Sequence, residues 1–230
     1  GPGIAHRYPD GLVSQGVAAE LVAAKWGISR QEQDEYAARS HQLAAAARAN
    51  GDFDNEIVTI DTPNGPFSKD ETIRPETTPE SLAELKAVFQ NDELGARFPQ
   101  INWSVTAGNS SQISDGASAA LIMSEAKAKE LGLKPRARFV SYSVIADDPL
   151  LMLTAPIPAT RIALEKAGLK PEDIGHFEVN EAFAPVPLAW LKEYPVGLDK
   201  LNPVGGAIAT GHPLGASGGK LMATMLNAME

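Results

Sequence analysis

Small and apolar residues recur at helical spacing from Gln15 to Trp26, through Val17, Ala18, Leu21 and Val22, and Gly27 follows as a stop. Ser29 with Glu32 three residues on reads as a capping box opening a second helix, whose apolar positions run through Tyr36, Leu43 and Ala47 to Gly51. The β-branched run Glu56–Ile60 predicts a short strand, and the Pro- and Gly-punctuated stretch 61–78 an extended surface excursion. Thr78 as N-cap with Pro79 behind it predicts a helix through Phe89. After Thr106 small and hydroxylated residues lead into the apolar segment Ala117–Met123. Beyond it, Ser124 caps a helix that Gly132 ends, and Arg138–Ile145 alternates like a strand. Helices over Ala159–Ala167, Ala184–Tyr194 and Gly215–Met229 then interleave with strands at Phe177–Val179 and Val204–Ala209, an α/β pattern.

Composition narrows the function classes. The 230 residues are 43% hydrophobic and 21% charged, the range of chains that bury a core. No apolar run reaches the roughly 18 residues of a membrane span, and residues 1–6 carry no charged-then-apolar leader, so the expected compartment is the cytoplasm. A net charge of −9 argues against a nucleic-acid surface, since phosphate contacts need clustered Lys and Arg. Cysteine is absent, which removes disulfides, thiolate metal sites and cysteine nucleophiles from these residues.

The densest chemistry-like string is Gly205-Gly206-Ala207-Ile208-Ala209-Thr210-Gly211-His212-Pro213-Leu214-Gly215-Ala216-Ser217-Gly218-Gly219. A histidine between Gly and Pro has a pinned backbone and a projecting ring, which suits a general base near neutral pH. The bland reading is a tightly packed glycine turn with His212 capping a neighbour. A phosphate-cradling loop fails at Leu214 and Leu221. Gly215–Gly219 does match Gly-x-Ser-x-Gly, making Ser217 a rival hydrolase nucleophile, although Pro213 spoils the sharp strand-to-helix turn such a serine needs. Asn180-Glu181-Ala182-Phe183 offers a neutral oxyanion donor beside an apolar wall, or else an Asn helix cap with Glu181 in the first turn. His6, His41 and His176 have no partners at metal-ligand spacing.

Together these strings resemble the thiolase family, which cleaves or forms the carbon–carbon bond of 3-oxoacyl-CoA thioesters. Thr106-Ala107-Gly108-Asn109-Ser110-Ser111, Asp115-Gly116-Ala117 and the helix around Ser29–Asp34 support the match, which runs over essentially the whole chain. The resemblance implies a layered αβαβα thiolase-like α/β fold, present in part. It would comprise a CoA-binding loop region at 1–110, a return segment of the N-terminal domain at 111–135, and an incomplete C-terminal domain at 136–230. It also implies roles: His212 as the histidine that takes the proton of the nucleophilic cysteine, Asn180 as holder of the oxyanion-hole water, and Phe183 with Ala182 as acyl-pocket wall. Ala107 and Ser111 would line the pantetheine tunnel, and Arg74 and Ser81 would meet the nucleotide end of coenzyme A. Coenzyme A enters as substrate, no cofactor is bound covalently, and the working protein is expected to be a homodimer or homotetramer.

Both cysteines of thiolase chemistry are missing, and Gln15 stands before Gly16 where the family carries a methionine-like residue. The chain therefore reads as a central and C-terminal piece of a thiolase, inactive alone; a natural half-protein that pairs with another chain is the lesser alternative. A serine hydrolase using Ser217 and a non-catalytic CoA-binding module remain the rival functions.

Overall fold

The computed structural model describes all residues 1–230. Its helices are α1 (Pro2–Arg7), α2 (Gln15–Lys25), α3 (Arg30–Asn50), α4 (Pro79–Ala83), α5 (Asp92–Arg97), α6 (Glu125–Glu130), α7 (Pro156–Ala167), α8 (Pro185–Glu193), α9 (Ala207–Thr210) and α10 (Ser217–Met229). A hairpin of β1 (Ile60–Thr62) and β2 (Gly65–Phe67) is the sole sheet, antiparallel with Ile60 opposite Phe67. No helix is long and apolar enough to cross a membrane.

Helix α3 is the axis. Ser29 Oγ accepts from Glu32 N at 3.1 Å while the Glu32 carboxylate accepts from Ser29 N at 2.7 Å, satisfying two N-terminal donors, and Gly51 closes the other end in the left-handed conformation. Its buried positions are mostly small (Ala37, Ala38, Ser40, Ala44, Ala47), so neighbouring backbone comes close. Gly205 is the extreme case. At φ +82°, a Cβ there would stand 2.5 Å from Ser40 O and 2.8 Å from Ala44 Cβ, so only glycine lets the 205–206 turn lie on α3. The main core joins Tyr36, Ala37 and Ala38 of α3 to Leu82, Val179, Ala184, Trp190, Leu201 and Ile208.

Several predicted elements take a different form. The strand expected at Glu56–Ile60 begins only at Ile60, where β2 supplies a partner. The helix from Pro79 stops at Ala83, and the Arg30 guanidinium donates to the carbonyls of Leu82 and Leu85 at its end. The Gly-rich stretch Val204–Ala209 is a turn followed by the single-turn helix α9, its Gly206 and Ile208 amides spent on Ser40 Oγ and the Glu181 carboxylate rather than on a ladder. Residues 117–123 and 138–145 form neither helix nor strand, and leave Leu121, Phe139, Tyr142 and Val144 exposed. Phe177–Val179 keeps one parallel bridge, Phe177 to Leu201.

Glu181 lies at the centre with no solvent exposure. Its carboxylate accepts from Tyr36 Oη and Asn202 Nδ2, both at 2.9 Å, from Ser40 Oγ at 2.7 Å and from Ile208 N at 3.1 Å. Removing the acceptor strands several buried donors. We expect Glu181→Ala to destabilise the chain by about 3 kcal/mol or more, read as a lower urea midpoint, with Glu181→Gln less damaging because it keeps one carbonyl acceptor. Equal stability of Glu181→Ala and the parent would refute this assignment.

Candidate active site

Three segments meet around one imidazole. The first, 106–112, is held by Thr106 Oγ1, which accepts from the amides of Gly108 and Asn109, while Asn109 Oδ1 accepts from Thr106 N. The second, 180–184, pairs with it: Ser111 N donates to Ala182 O at 3.0 Å and Ala184 N to Asn109 O at 2.9 Å. The third follows α9, where His212 N donates to Gln112 O at 3.1 Å. These bonds join the segments that carry Asn180, Phe183, Ser111 and His212.

The hydrogen bonds of His212 fix its tautomer. Nδ1 lies 2.6 Å from Ser217 Oγ, and that hydroxyl donates to Pro213 O at 3.1 Å, so Nδ1 carries the proton that Ser217 accepts. Nε2 keeps its lone pair and faces Asn180 Nδ2 at 3.4 Å. Burial first, and the Lys220 ammonium second, hold the imidazole below the usual histidine range, so it is neutral at pH 7. Asn180 Oδ1 is buried without a protein partner. Helix α8 begins at Pro185, so Asn180 caps nothing and its amide is available to the pocket. The arrangement offers a neutral base at Nε2 beside an amide donor, the pair needed to accept a proton and steady a developing oxyanion.

A cavity of about 460 Å³ lies alongside, lined by His41, Arg74, Ser81, Leu82, Ala107 and Gln112 among others. Arg74 is exposed there and supplies positive charge; the Ser81 hydroxyl donates to Thr78 O, at the start of α4. Phe183 is nearly buried and meets Phe89 edge-on, ring centroids 6.2 Å apart.

A family model for the thiolase N-terminal domain matches residues 7–126, and one for the thiolase C-terminal domain matches residues 133–230. The chain belongs to the thiolase family. It is 50% identical over 225 residues to a steroid 3-ketoacyl-CoA thiolase of Mycobacterium tuberculosis, covering 98% of this chain and 52% of that protein. It is 47% identical to a 3-ketoacyl-CoA thiolase of Escherichia fergusonii, covering 100% of this chain and 59% of the relative. The crystal structure of the Bacillus anthracis acetyl-CoA acetyltransferase superposes with a TM-score of 0.83 at 41% identity, over 94% of this chain and 54% of that one. Human mitochondrial 3-ketoacyl-CoA thiolase in complex with CoA gives 0.82 at 40%, over 92% and 51%. The chain thus spans about half the length of the relatives it matches, and its layered α/β fold is part of the thiolase fold.

Within this thiolase-family chain, the residues singled out by sequence fall into two groups. His212, Asn180, Ala182, Phe183 and Ser111 converge through the backbone bonds above, whereas Arg74, Ser81 and Ala107 line the adjoining cavity. Four further contributors carry no clear signal in the sequence for the part they play. Ser217, buried at the start of α10, contacts His212 as a hydrogen-bond partner, a role that its serine motif does not suggest. Glu181 reads in sequence as a helix-dipole charge at most, and Lys220 only as the lysine after Gly219 in the phosphate-loop match that fails at Leu214 and Leu221. His41, by sequence a mid-helix histidine without ligand partners, accepts from Arg74 N through Nδ1 at 3.1 Å and so fixes the cavity wall.

His41 gives a pH signature. Burial and the neighbouring Arg74 charge push it down to about 4 from an ordinary 6.5. The unfolded chain therefore binds a proton that the folded chain refuses between those values, and stability falls as pH drops from about 6.5 to about 4. Fully developed, this amounts to about 3 kcal/mol. Urea midpoints of the parent should drop more steeply across that window than those of His41→Gln, and parallel curves would contradict the assignment.

Proposed function

We propose that this chain carries the base and oxyanion side of a thiolase acyl transfer, working on 3-oxoacyl-CoA substrates with coenzyme A as acyl acceptor. The observation that carries the reading is the tautomer-locked His212 whose Nε2 faces the Asn180 amide at 3.4 Å. The similar human thiolase is a complex with CoA, which supports a CoA substrate for this chain as well. The chain holds no cysteine and spans about half of its relatives, and on this reading the catalytic thiols come from the remainder of a longer protein.

The reaction begins with a proton transfer. His212 Nε2 takes the proton of a thiol, and the thiolate adds to the 3-keto carbon of the substrate. The oxyanion that forms there is neutralised by nearby hydrogen-bond donors. As the carbonyl re-forms, the C2–C3 bond breaks, the acetyl-CoA carbanion takes a proton from the second thiol of the longer protein and leaves, and the shortened acyl group stays as an enzyme thioester. The incoming CoA thiol gives its proton back to that second thiolate and attacks the thioester, with the developing oxyanion held between the imidazolium Nε2–H and a water on Asn180, and the expelled enzyme thiolate recovers its proton from His212. A neutral imidazole with a depressed pKa suits both halves, accepting a proton at pH 7 and returning it readily. Arg74 supports an anchor for phosphate charge in an otherwise acidic chain.

The same reading takes the working protein as a cytoplasmic homodimer or homotetramer; the apolar side chains exposed on this half, such as Leu121, Phe139 and Val144, call for cover by the remainder of the longer protein. Within the chain the boundaries fall at about 110 and 135, between loop region, return segment and C-terminal domain. A serine hydrolase finds less support. Ser217 is 7% exposed and follows no strand, and the nitrogen opposite it faces an amide rather than the carboxylate that orients a hydrolytic histidine.

In the longer protein, His212→Ala should lower kcat for acetoacetyl-CoA thiolysis about 10²–10⁴-fold; undiminished turnover refutes the proposal. The 230-residue chain itself should show no thiolysis and resist a fluorophosphonate probe. Turnover by the cysteine-free chain would overturn the thiolate mechanism, and labelling lost in Ser217→Ala would favour the hydrolase. Arg74→Glu should weaken CoA binding about tenfold by calorimetry, and unchanged binding would move the nucleotide end elsewhere.

A further inference from the structure

Lys220 is a largely desolvated cation that the reaction scheme leaves unused. It stands in the first turns of α10, and its side chain runs back beneath the turn that presents His212. Its nitrogen lies 3.0 Å from Thr210 O, 2.7 Å from Thr210 Oγ1 and 3.0 Å from Gly211 O. An ammonium has three donors, and all three are spent on the two residues that precede His212. The Thr210 hydroxyl passes its own proton to Gly206 O at 3.0 Å, which links the cation to the glycine turn seated on α3.

Charged side chains that leave water usually pair with carboxylates. This one is instead directed at carbonyls that close a single helical turn, where the backbone carries partial negative charge. We infer that Lys220 is a positioning residue for His212: it clamps the Thr210–Gly211 backbone from below and so sets the direction in which the imidazole meets Asn180. Without the clamp those carbonyls would turn to find other donors, and the ring would move with them. Displacements of about 1 Å at a reacting group cost on the order of 10²-fold in rate.

The clamp also acts through its charge. The acids facing Lys220 are Glu56 from the turn after α3, Asp70 from the loop after β2, and Glu178 and Glu181 from the Asn180 segment. They favour the ammonium form against burial, which draws it the other way. Lys220 is the charged group that bears on His212, and it disfavours the imidazolium. One side chain thus bears on both the position of the base and, after burial, its protonation. The catalytic consequence rests on the proposed function above; the structural claim does not.

The test reads His212 directly. Histidine ring signals of the labelled 230-residue chain are followed against pH for the parent, Lys220→Met and Lys220→Arg. Lys220→Met should raise the His212 titration midpoint and shift its ring resonances, while His41 holds its own; Lys220→Arg, which restores a cationic donor, should return His212 to parental behaviour. An unmoved His212 in Lys220→Met, or an arginine variant that behaves like methionine, overturns the inference. Should Lys220→Met not fold, the parent decides: nitrogen-detected spectra should show the Lys220 ammonium exchanging slowly with water, and a freely exchanging one overturns the clamp. If Lys220→Met moves His212 while His212→Ala leaves thiolysis in the longer protein intact, the proposed function falls and the positioning role stands.

Discussion

The arrangement depends on one buried carboxylate. Glu181 is surrounded by donors from three separate parts of the chain: Tyr36 and Ser40 on α3, Asn202 before the glycine turn, and the Ile208 amide in α9. Desolvating a carboxylate costs several kcal/mol, so it is tolerated only where donors surround it, and a site that meets that demand has little freedom to do anything else. Asn180 is the preceding residue and His212 lies four beyond Ile208. The distance between oxyanion donor and base is therefore set from a point next to both. Gly206 completes the constraint, since a Cβ there would stand 2.3 Å from the Glu181 carboxyl carbon.

The same device recurs in the segment that leads into the pocket. Glu20 on α2 is 1% exposed and accepts from the amides of Ser104 and Val105, with Ser104 Oγ as a further donor. Asp34 on α3 takes Asn109 Nδ2 on one oxygen and Arg30 Nε on the other. A segment with neither helix nor ladder leaves its amides unsatisfied, and a carboxylate can accept several at once. Residues 104–109 are held this way from two helices, and they lead directly into 109–111, which pairs with 182–184. Acidic residues inside an acidic chain are thus scaffold as much as surface charge.

What the sequence makes legible is what local chemistry decides. The capping box at Ser29 and Glu32, the glycine stop at Gly51 and the Thr78–Pro79 start all act within four residues, and each stands where the sequence predicts it. Strands are harder to read, because a strand exists only through a partner elsewhere in the chain: 138–145 alternates correctly and yet pairs with nothing here. Val204–Ala209 misleads for a related reason. Its apolar, glycine-rich text fits a strand, and only the distant Ser40 and Glu181, by taking its amides, make it a turn and a helix. His212 and Asn180 stand out because unusual residues surround them. Glu181, Ser217 and Lys220 do not, because what they do is written in contacts with segments far along the chain or around a turn.

Two histidines show how little a shifted pKa says by itself. His41 and His212 are both held neutral by burial with a cation nearby, Arg74 for one and Lys220 for the other. His41 spends Nδ1 on the Arg74 amide, is 2% exposed and fixes a wall, so its neutrality is felt as stability. His212 spends Nδ1 on Ser217 and leaves Nε2 in a pocket beside an amide donor, so its neutrality is felt as basicity. The electrostatic cause is shared, and the difference lies in which nitrogen the fold leaves open. A search for the working base of this chain on titration alone would choose the wrong ring, since the larger displacement belongs to His41, and geometry around the second nitrogen is what separates a scaffold histidine from one poised for proton transfer.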